Sequence, residues 1–333
     1  MSTGHLVDIT VDPADESRRR RRALLRIGLP IGGVALIIAV ILGIALYSHQ
    51  ANRAGVLRLS DGLLREMQGR IALQVVSYLE PATRAAQFVR ALAADSALRE
   101  RIDMAQAFAA TALTQLPQVD AFDFADAEGN FMMVRHGDGG GIDTKLIRNS
   151  PGARQVTWIR RDAAGREIAR QPDPTDSFDP RTRTWFTGAS NTDGVFWSDV
   201  YVFYTSESPG VTAAVRYLDQ QGRVSVFGVD IALKALSEFL ASLRIGRSGR
   251  AVIMDGRGTM VAMGDMQRML RQDGSEFVPA RIDQVGDAEL TAAYDRYRVT
   301  GYGRNLITVG DRHIVSIVAP LRSTDHDWSM VIV

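Results

Sequence analysis

The chain has 333 residues, with 39 basic and 38 acidic side chains and a formal net charge of +1. That balance speaks against a nucleic-acid-binding surface, which needs a local excess of Lys and Arg. There is no cysteine, so disulfides and thiolate chemistry are excluded. The length leaves room for two domains of ordinary size.

Residues 1–26 form a polar segment that ends in an unbroken arginine run, Arg18 to Arg22, with Arg26 close behind. Residues 27–47 then carry no charge. An apolar helix of about 20 residues crosses about 30 Å of hydrocarbon, so this run is long enough to span a membrane. A cleaved signal peptide fits less well, because the apolar run is too long and no small-residue cleavage site follows it. The positive-inside rule keeps the arginines in the cytoplasm and puts residues 48–333 outside it. The expectation is a single-pass protein of the inner membrane.

Residues 48–94 read as one long stalk helix. Leu57, Leu64, Ile71 and Tyr78 recur at heptad spacing, with Ser60 and Met67 at the intermediate positions. The seam has two readings, a parallel homodimer interface or packing against its own domain. A stalk leaving a membrane helix has little of its own domain to touch at first, which favours a mixture. Pro81 is expected to kink or loosen the helix. A second amphipathic helix is predicted from Met104 to Leu116, stopping before Pro117.

From Val119 the pattern switches to strands. Phe122 to Ala125 and Phe131 to Val134 flank Glu128-Gly129-Asn130, a hairpin signal. Gly137 to Gly141 reads as a loop tip. Val156 to Arg160 and Glu167 to Arg170 flank a turn at Gly165. Asp179 is placed to cap a short helix whose first residue is Pro180. Strands are predicted at Val195 to Tyr204, Val211 to Tyr217 and Arg223 to Val229. Asp230 then opens a helix whose apolar face includes Leu233, Leu236, Phe239, Leu240 and Leu243. A second set of strands follows a turn at residues 245–249: Ala251 to Met254, Met260 to Ala262, Leu306 to Val309, His313 to Pro320 and Trp328 to Val333. A helix from Ala288 to Tyr297 lies among them.

One stretch carries an unusual mixture. It begins Phe178-Asp179-Pro180-Arg181-Thr182-Arg183-Thr184-Trp185-Phe186, continues through Trp197-Ser198-Asp199-Val200-Tyr201, and ends on Gly228-Val229-Asp230. Arg183 is a rigid cationic fork suited to a carboxylate. Trp185 offers a flat apolar wall, Tyr201 a hydroxyl and Asp230 an anion for an ammonium. Together they describe a pocket for a small zwitterion.

This stretch resembles the pocket motif of the double Cache (dCache) sensor family, extracytoplasmic tandem PAS-like modules of bacterial receptors. Phe178, Arg183, Trp185, Phe186, Tyr201 and Asp230 fall on the six ligand-binding positions of its amino-acid-binding subset. Two tyrosines of that pattern are phenylalanine here, Phe178 and Phe186. Both changes delete hydroxyls that would help to hold a carboxylate. The resemblance implies an α+β fold in which the transmembrane helix and stalk lead into two Cache lobes with antiparallel sheets. Residues 95–243 would be the membrane-distal lobe and 244–333 the membrane-proximal one. It further implies a small-molecule ligand (amino acid, amine or small organic acid) and a signalling output domain absent from these residues. This version of the motif is most similar to sensor halves of adenylate/guanylate cyclases. A stand-alone anchored binding or scaffold protein is the alternative.

Each residue also has a structural reading. Arg183 and Trp185 are two apart and cannot share one face of a regular helix. Either that helix is one irregular turn, or only one of them reaches the pocket. Trp185 alone would be read as core, Tyr201 as strand-end packing, and Arg181 as a solvated neighbour. Asp230 is equally placed as an N-cap and as a ligand contact. No catalytic set appears among His5, His49, His136, His313 and His326 or the serines Ser206 and Ser208. His136 and Asp138 lack a third metal ligand at a recognisable spacing. Neither a cofactor nor a metal is expected.

Overall fold

The computed structural model describes residues 66–92 and 102–333, apart from 219–221, 247, 275 and 322–325, and a few positions between 36 and 62. Residues 1–67 and 68–333 form separate units. Most of the expected membrane span and the seam residues Leu57, Ser60 and Leu64 lie outside the described residues. Inside the expected span, residues 38–45 are helical, and Ile38, Val40, Ile41, Leu42 and Ile44 are exposed. Among the described residues no helix is long and apolar enough to cross a membrane.

Helix α1 covers residues 66–92. Its buried stripe is Ile71, Val75, Leu79, Ala82, Ala86 and Val89, spaced as one face of a 3.6-residue period. The Tyr78 hydroxyl donates to the Ala232 carbonyl at 2.7 Å. From Ile71 onward the seam therefore packs within its own chain. The residues on both sides of Pro81 are helical. The missing N–H removes one rung, and burial of Leu79 and Ala82 on either side outweighs it. Helix α2 spans Ile102–Gln115.

The first sheet is built from β1 (Val119–Asp126), β2 (Phe131–His136), β3 (Ile142–Ser150), β4 (Ala153–Arg161), β5 (Glu167–Pro172), β6 (Phe196–Trp197), β7 (Tyr201–Val202), β8 (Pro209–Leu218) and β9 (Val224–Ala232). Its order is β5-β4-β3-β2-β1-β9-β8-β6, with β7 also paired to β8. Every pairing is antiparallel. One face buries Phe122, Val134, Phe227 and Ile231, with the Phe122 and Phe227 rings stacked at 5.7 Å. The other face is covered by α3 (Thr184–Ser190), which buries Trp185, Phe186 and Ala189 against Ala121, Phe131, Met133 and Ala214.

Two expectations fail here. The strand expected from Val195 to Tyr204 is broken into β6 and β7, because Ser198 turns inward and takes the Thr212 N–H on its hydroxyl at 2.9 Å. Asp230 does not open a helix. It lies inside β9, and α4 (Lys234–Ser242) begins four residues later behind Leu233, with no side-chain cap. The carboxylate of Asp230 accepts from Thr212 Oγ1 on the neighbouring strand instead, at 2.6 Å.

The second sheet contains β10 (Ala251–Asp255), β11 (Met260–Ala262), β14 (Gly303–Val309), β15 (Arg312–Pro320) and β16 (Trp328–Ile332), in the order β11-β10-β16-β15-β14. Between them β12 (Leu270–Asp273) and β13 (Glu276–Pro279) form a separate hairpin. Helix α5 (Ala288–Thr300) packs on this sheet, capped by Asp287, whose carboxylate accepts from the Glu289 and Leu290 N–H groups. The architecture is α+β with antiparallel sheets.

Candidate functional site

The antiparallel register lays the site out in rows on the α3-covered face of the first sheet. Arg135, Ala121, Asp230 and Thr212 stand side by side across β2, β1, β9 and β8. The adjacent row is Lys145, Met133, Asp123, Gly228 and Ala214. A register shift between Val119 and Ala121 brings Asp120 to the same region. Gly228 lets its neighbours close on this floor: a Cβ there would sit 3.2 Å from Thr212 Cγ2 and 3.4 Å from both Asp123 Cβ and Trp185 Cε3.

A cleft of about 400 Å³, counting the solvent at its mouth, lies over these rows. Phe178, Arg183, Trp185, Tyr201 and Asp230 all line it. Arg183 has an extended backbone (φ −83°, ψ 144°) immediately before α3, while Trp185 is in its first turn. The two residues are thus not on one regular helix, and both reach the cleft. Phe186 does not line it. Its ring lies edge-on to Trp185 at 5.8 Å and belongs to the core. Asp179 caps the preceding turn through the Arg181 N–H at 3.0 Å, and Arg181 folds back on it in an exposed ion pair at 2.7 Å.

Arg183 forms the cationic pole. Its guanidinium sits 5.5 Å from the Tyr201 ring and 5.9 Å from the Phe178 ring. Its Nη2 makes a long 3.5 Å bond to the Val202 carbonyl, which leaves the fork largely available. Two further polar atoms join it in the lining: Arg135 Nε and Ser206 Oγ are buried and have no hydrogen-bond partner.

The opposite pole is a relay. Tyr201 and Thr212 hydroxyls are 2.7 Å apart, and Thr212 reaches Asp230 at 2.6 Å. An ionised Asp230 takes the single Thr212 proton, so Tyr201 must donate to Thr212. The phenol oxygen then faces the cleft as an acceptor. Burial pushes the Asp230 carboxyl up to about 7, against the opposing effect of the Thr212 hydrogen bond. Asp123, buried beside it, is pushed well above the usual carboxylate range, first by burial and then by the Asp230 charge. Burial and the Asp230 charge also raise the Tyr201 phenol well above its ordinary value.

Sequence reading missed the support under Phe178. Lys145 is buried in β3 and pairs with Asp176 at 2.5 Å, its ammonium 4.8 Å from the Phe178 ring and 5.2 Å from the Tyr204 ring. Asp176 in turn accepts the Phe178 N–H at 2.9 Å, and Arg154 holds the Phe178 carbonyl at 2.6 Å. Asp123, Arg135 and Ser206 were missed as well. For Asp123 and Arg135 the available signal was a charged residue at a core-facing position of a strand, and Ser206, outside the strands, gave none. Among the described residues, no group of His, Asp and Glu is arranged to hold a metal ion.

Residues 95–238 match the family model of the methyl-accepting chemotaxis protein-like first PDC sensor domain. Adenylate cyclase 1 of Rhizobium meliloti (strain 1021) is 25% identical over 181 residues, 54% of this chain and 26% of that protein. The match thus spans about a quarter of that curated relative. The fold is similar to the ligand-binding domain of Mlp24 with asparagine (TM-score 0.54, 16% identity, 84% of this chain and 94% of that one). It is also similar to the ligand-binding domain of the Pseudomonas fluorescens chemoreceptor CtaA in complex with L-isoleucine (TM-score 0.51, 18% identity, 84% and 94%).

Proposed function

We propose, on the premise that residues 95–238 are a sensor domain of the PDC family, that the cleft binds a small zwitterion such as an amino acid. The observation that carries this reading is that Arg183 and Asp230 line one cleft walled by Trp185 and Phe178. The ligand's ammonium goes to Asp230 and the Tyr201 phenol oxygen. Its carboxylate goes to Arg183, with Arg135 Nε and Ser206 Oγ supplying donors that the ring of Phe178 lacks. Amines without a carboxylate keep the stronger pole. Bound amino acids in the two structural neighbours support this class, though at their low identity the likeness itself is one of fold.

In this reading residues 27–47 anchor the protein in the inner membrane and residues 48–333 sense outside the cytoplasm. The chain pairs with a second copy through the stalk, and ligand closure shifts that helix. The Tyr78 bond to the end of β9, two residues beyond Asp230, gives a short path from the cleft to α1. A ligand biases such an equilibrium only by its differential affinity for the two states. The output is a separate domain, with a nucleotide cyclase favoured by the match to the adenylate cyclase, 25% identical over 54% of this chain. A thermal-shift screen of the full chain in detergent against amino acids, amines and small organic acids tests the ligand class. A true ligand at about 100 times its Kd should stabilise the fold by about 2.7 kcal/mol. Stabilisation by acids alone would refute the ammonium pole.

A further inference from the structure

We infer that Asp123 is a second ligand-facing carboxyl, that it shares one proton with Asp230 in the empty cleft, and that an arriving ammonium displaces this proton. The inference rests on the cationic ligand proposed above. Asp123 lies outside the six motif positions, yet it lines the cleft and is only 3% exposed. Its Oδ1 is buried and has no hydrogen-bond partner, an open acceptor at the floor of a binding cleft. Register fixes the geometry. Asp123 pairs with Gly228 and Ala121 with Asp230, so the two aspartates are diagonal neighbours on one face. Both carboxyls are buried and both line the cleft. Two neighbouring buried carboxylates repel strongly, so one of the pair is favoured to hold a proton.

The surroundings explain why the proton stays. Asp120 from the β1 bulge adds a third negative charge, which disfavours full ionisation. Lys145 on β3 opposes it, but is already paired with Asp176. Arg183 also lowers Asp230, but by less than burial raises it. Arg135 on β2 also lines the cleft, and Met133 beside it carries no charge. Thr212 on β8 and Tyr201 on β7 are neutral hydroxyls, and Gly228 on β9 contributes nothing polar. A ligand ammonium has three donors and one positive charge. It can be shared by Asp123 Oδ1, Asp230 and the Tyr201 oxygen. The protein then releases one proton to solvent and holds both carboxylates ionised around the cation, so charge balances.

The test has two arms on the full chain in detergent. Infrared spectroscopy of the unliganded protein at pH 6 should show the C=O stretch of a buried protonated carboxyl, lost in Asp123→Asn and shifted in Asp230→Asn. Calorimetry at pH 6 with L-alanine, ethanolamine and acetate, each in phosphate and in MOPS, should show release approaching one proton for the ammonium-bearing probes. Their affinity should climb as pH rises toward about 7, and the climb should be shallower in Asp123→Asn. Absence of the band in the wild type overturns the inference. So does an ammonium probe that binds without proton release and equally well to Asp123→Asn. Binding of acetate alone refutes the ammonium reading of the cleft itself. If no probe binds, that reading fails in the same way, and the infrared band alone decides the shared proton.

Discussion

Replacing Lys145 with methionine tests whether the ion pair beneath Phe178 holds the cleft wall. Lys145 is 1% and Asp176 6% exposed, and they meet at 2.5 Å. Methionine keeps most of the apolar stem of the side chain and removes the ammonium. Asp176 is then left buried with the Phe178 N–H at 2.9 Å and a distant Arg154 at 3.5 Å. Removing one partner of a buried pair costs about 3–5 kcal/mol, chiefly because the other charge stays desolvated. The residual partners of Asp176 put the expected loss near 3 kcal/mol, of a total that is typically about 5–15 kcal/mol. Loss of the ammonium from the Phe178 and Tyr204 ring faces adds to it. Urea unfolding measures the change, and Asp176→Leu added to Lys145→Met should recover about 1–4 kcal/mol by removing the stranded anion. A loss below about 1 kcal/mol in the single variant would show that this pair does not secure the wall.

Four further outcomes follow from buried groups and close packing in the fold. Burial raises the Asp123–Asp230 pair, which keeps a proton that the unfolded chain gives up at about 3.9, so the pair lowers stability as pH rises from there toward about 7. His326 acts in the opposite sense: burial lowers it to about 4, so its contribution of up to about 3 kcal/mol is lost as pH falls below 6.5. Urea unfolding across pH 4.5–8 should therefore steepen upward with pH in Asp230→Asn and downward in His326→Phe, and unchanged profiles would contradict both. Thr212→Val breaks the relay between Tyr201 and Asp230 and should cost about 1–3 kcal/mol in urea unfolding. Gly210→Ala would place a Cβ 2.0 Å from Phe203 Cζ and 2.8 Å from the Ile231 carbonyl. It should destabilise by about 1–3 kcal/mol and disturb the Tyr201 ring that packs edge-on to Phe203, which a thermal scan would detect.

Local signals carried much of the fold. Glu128-Gly129-Asn130 marks the first hairpin and Asp179-Pro180 the capped turn. Strand β3 was not legible, because its core-facing Lys145 breaks the apolar alternation and is tolerated only through Asp176, 31 positions away. The β12–β13 hairpin has too few apolar residues to announce itself. Asp230 reads as a cap because an aspartate before Leu233 and Leu236 is the usual start of a helix. Its true partner, Thr212, is set by strand pairing that no local pattern encodes. The same applies to Asp123 and Arg135, which become neighbours of the cleft only through the β1 register with β2 and β9.

The central claim is that Arg183 and Asp230 hold the two ends of one small ligand. Calorimetry with the best-stabilising compound from the screen, on wild type, Arg183→Ala, Asp230→Ala and Asp230→Asn, tests it most directly. Asp230→Ala and Asp230→Asn should each lose about 2–5 kcal/mol of binding, since neither can neutralise a buried ammonium. Arg183→Ala should lose affinity for a carboxylate-bearing ligand and little for the corresponding amine. Full affinity in Asp230→Asn, or equal loss of acid and amine in Arg183→Ala, would contradict the two-pole cleft.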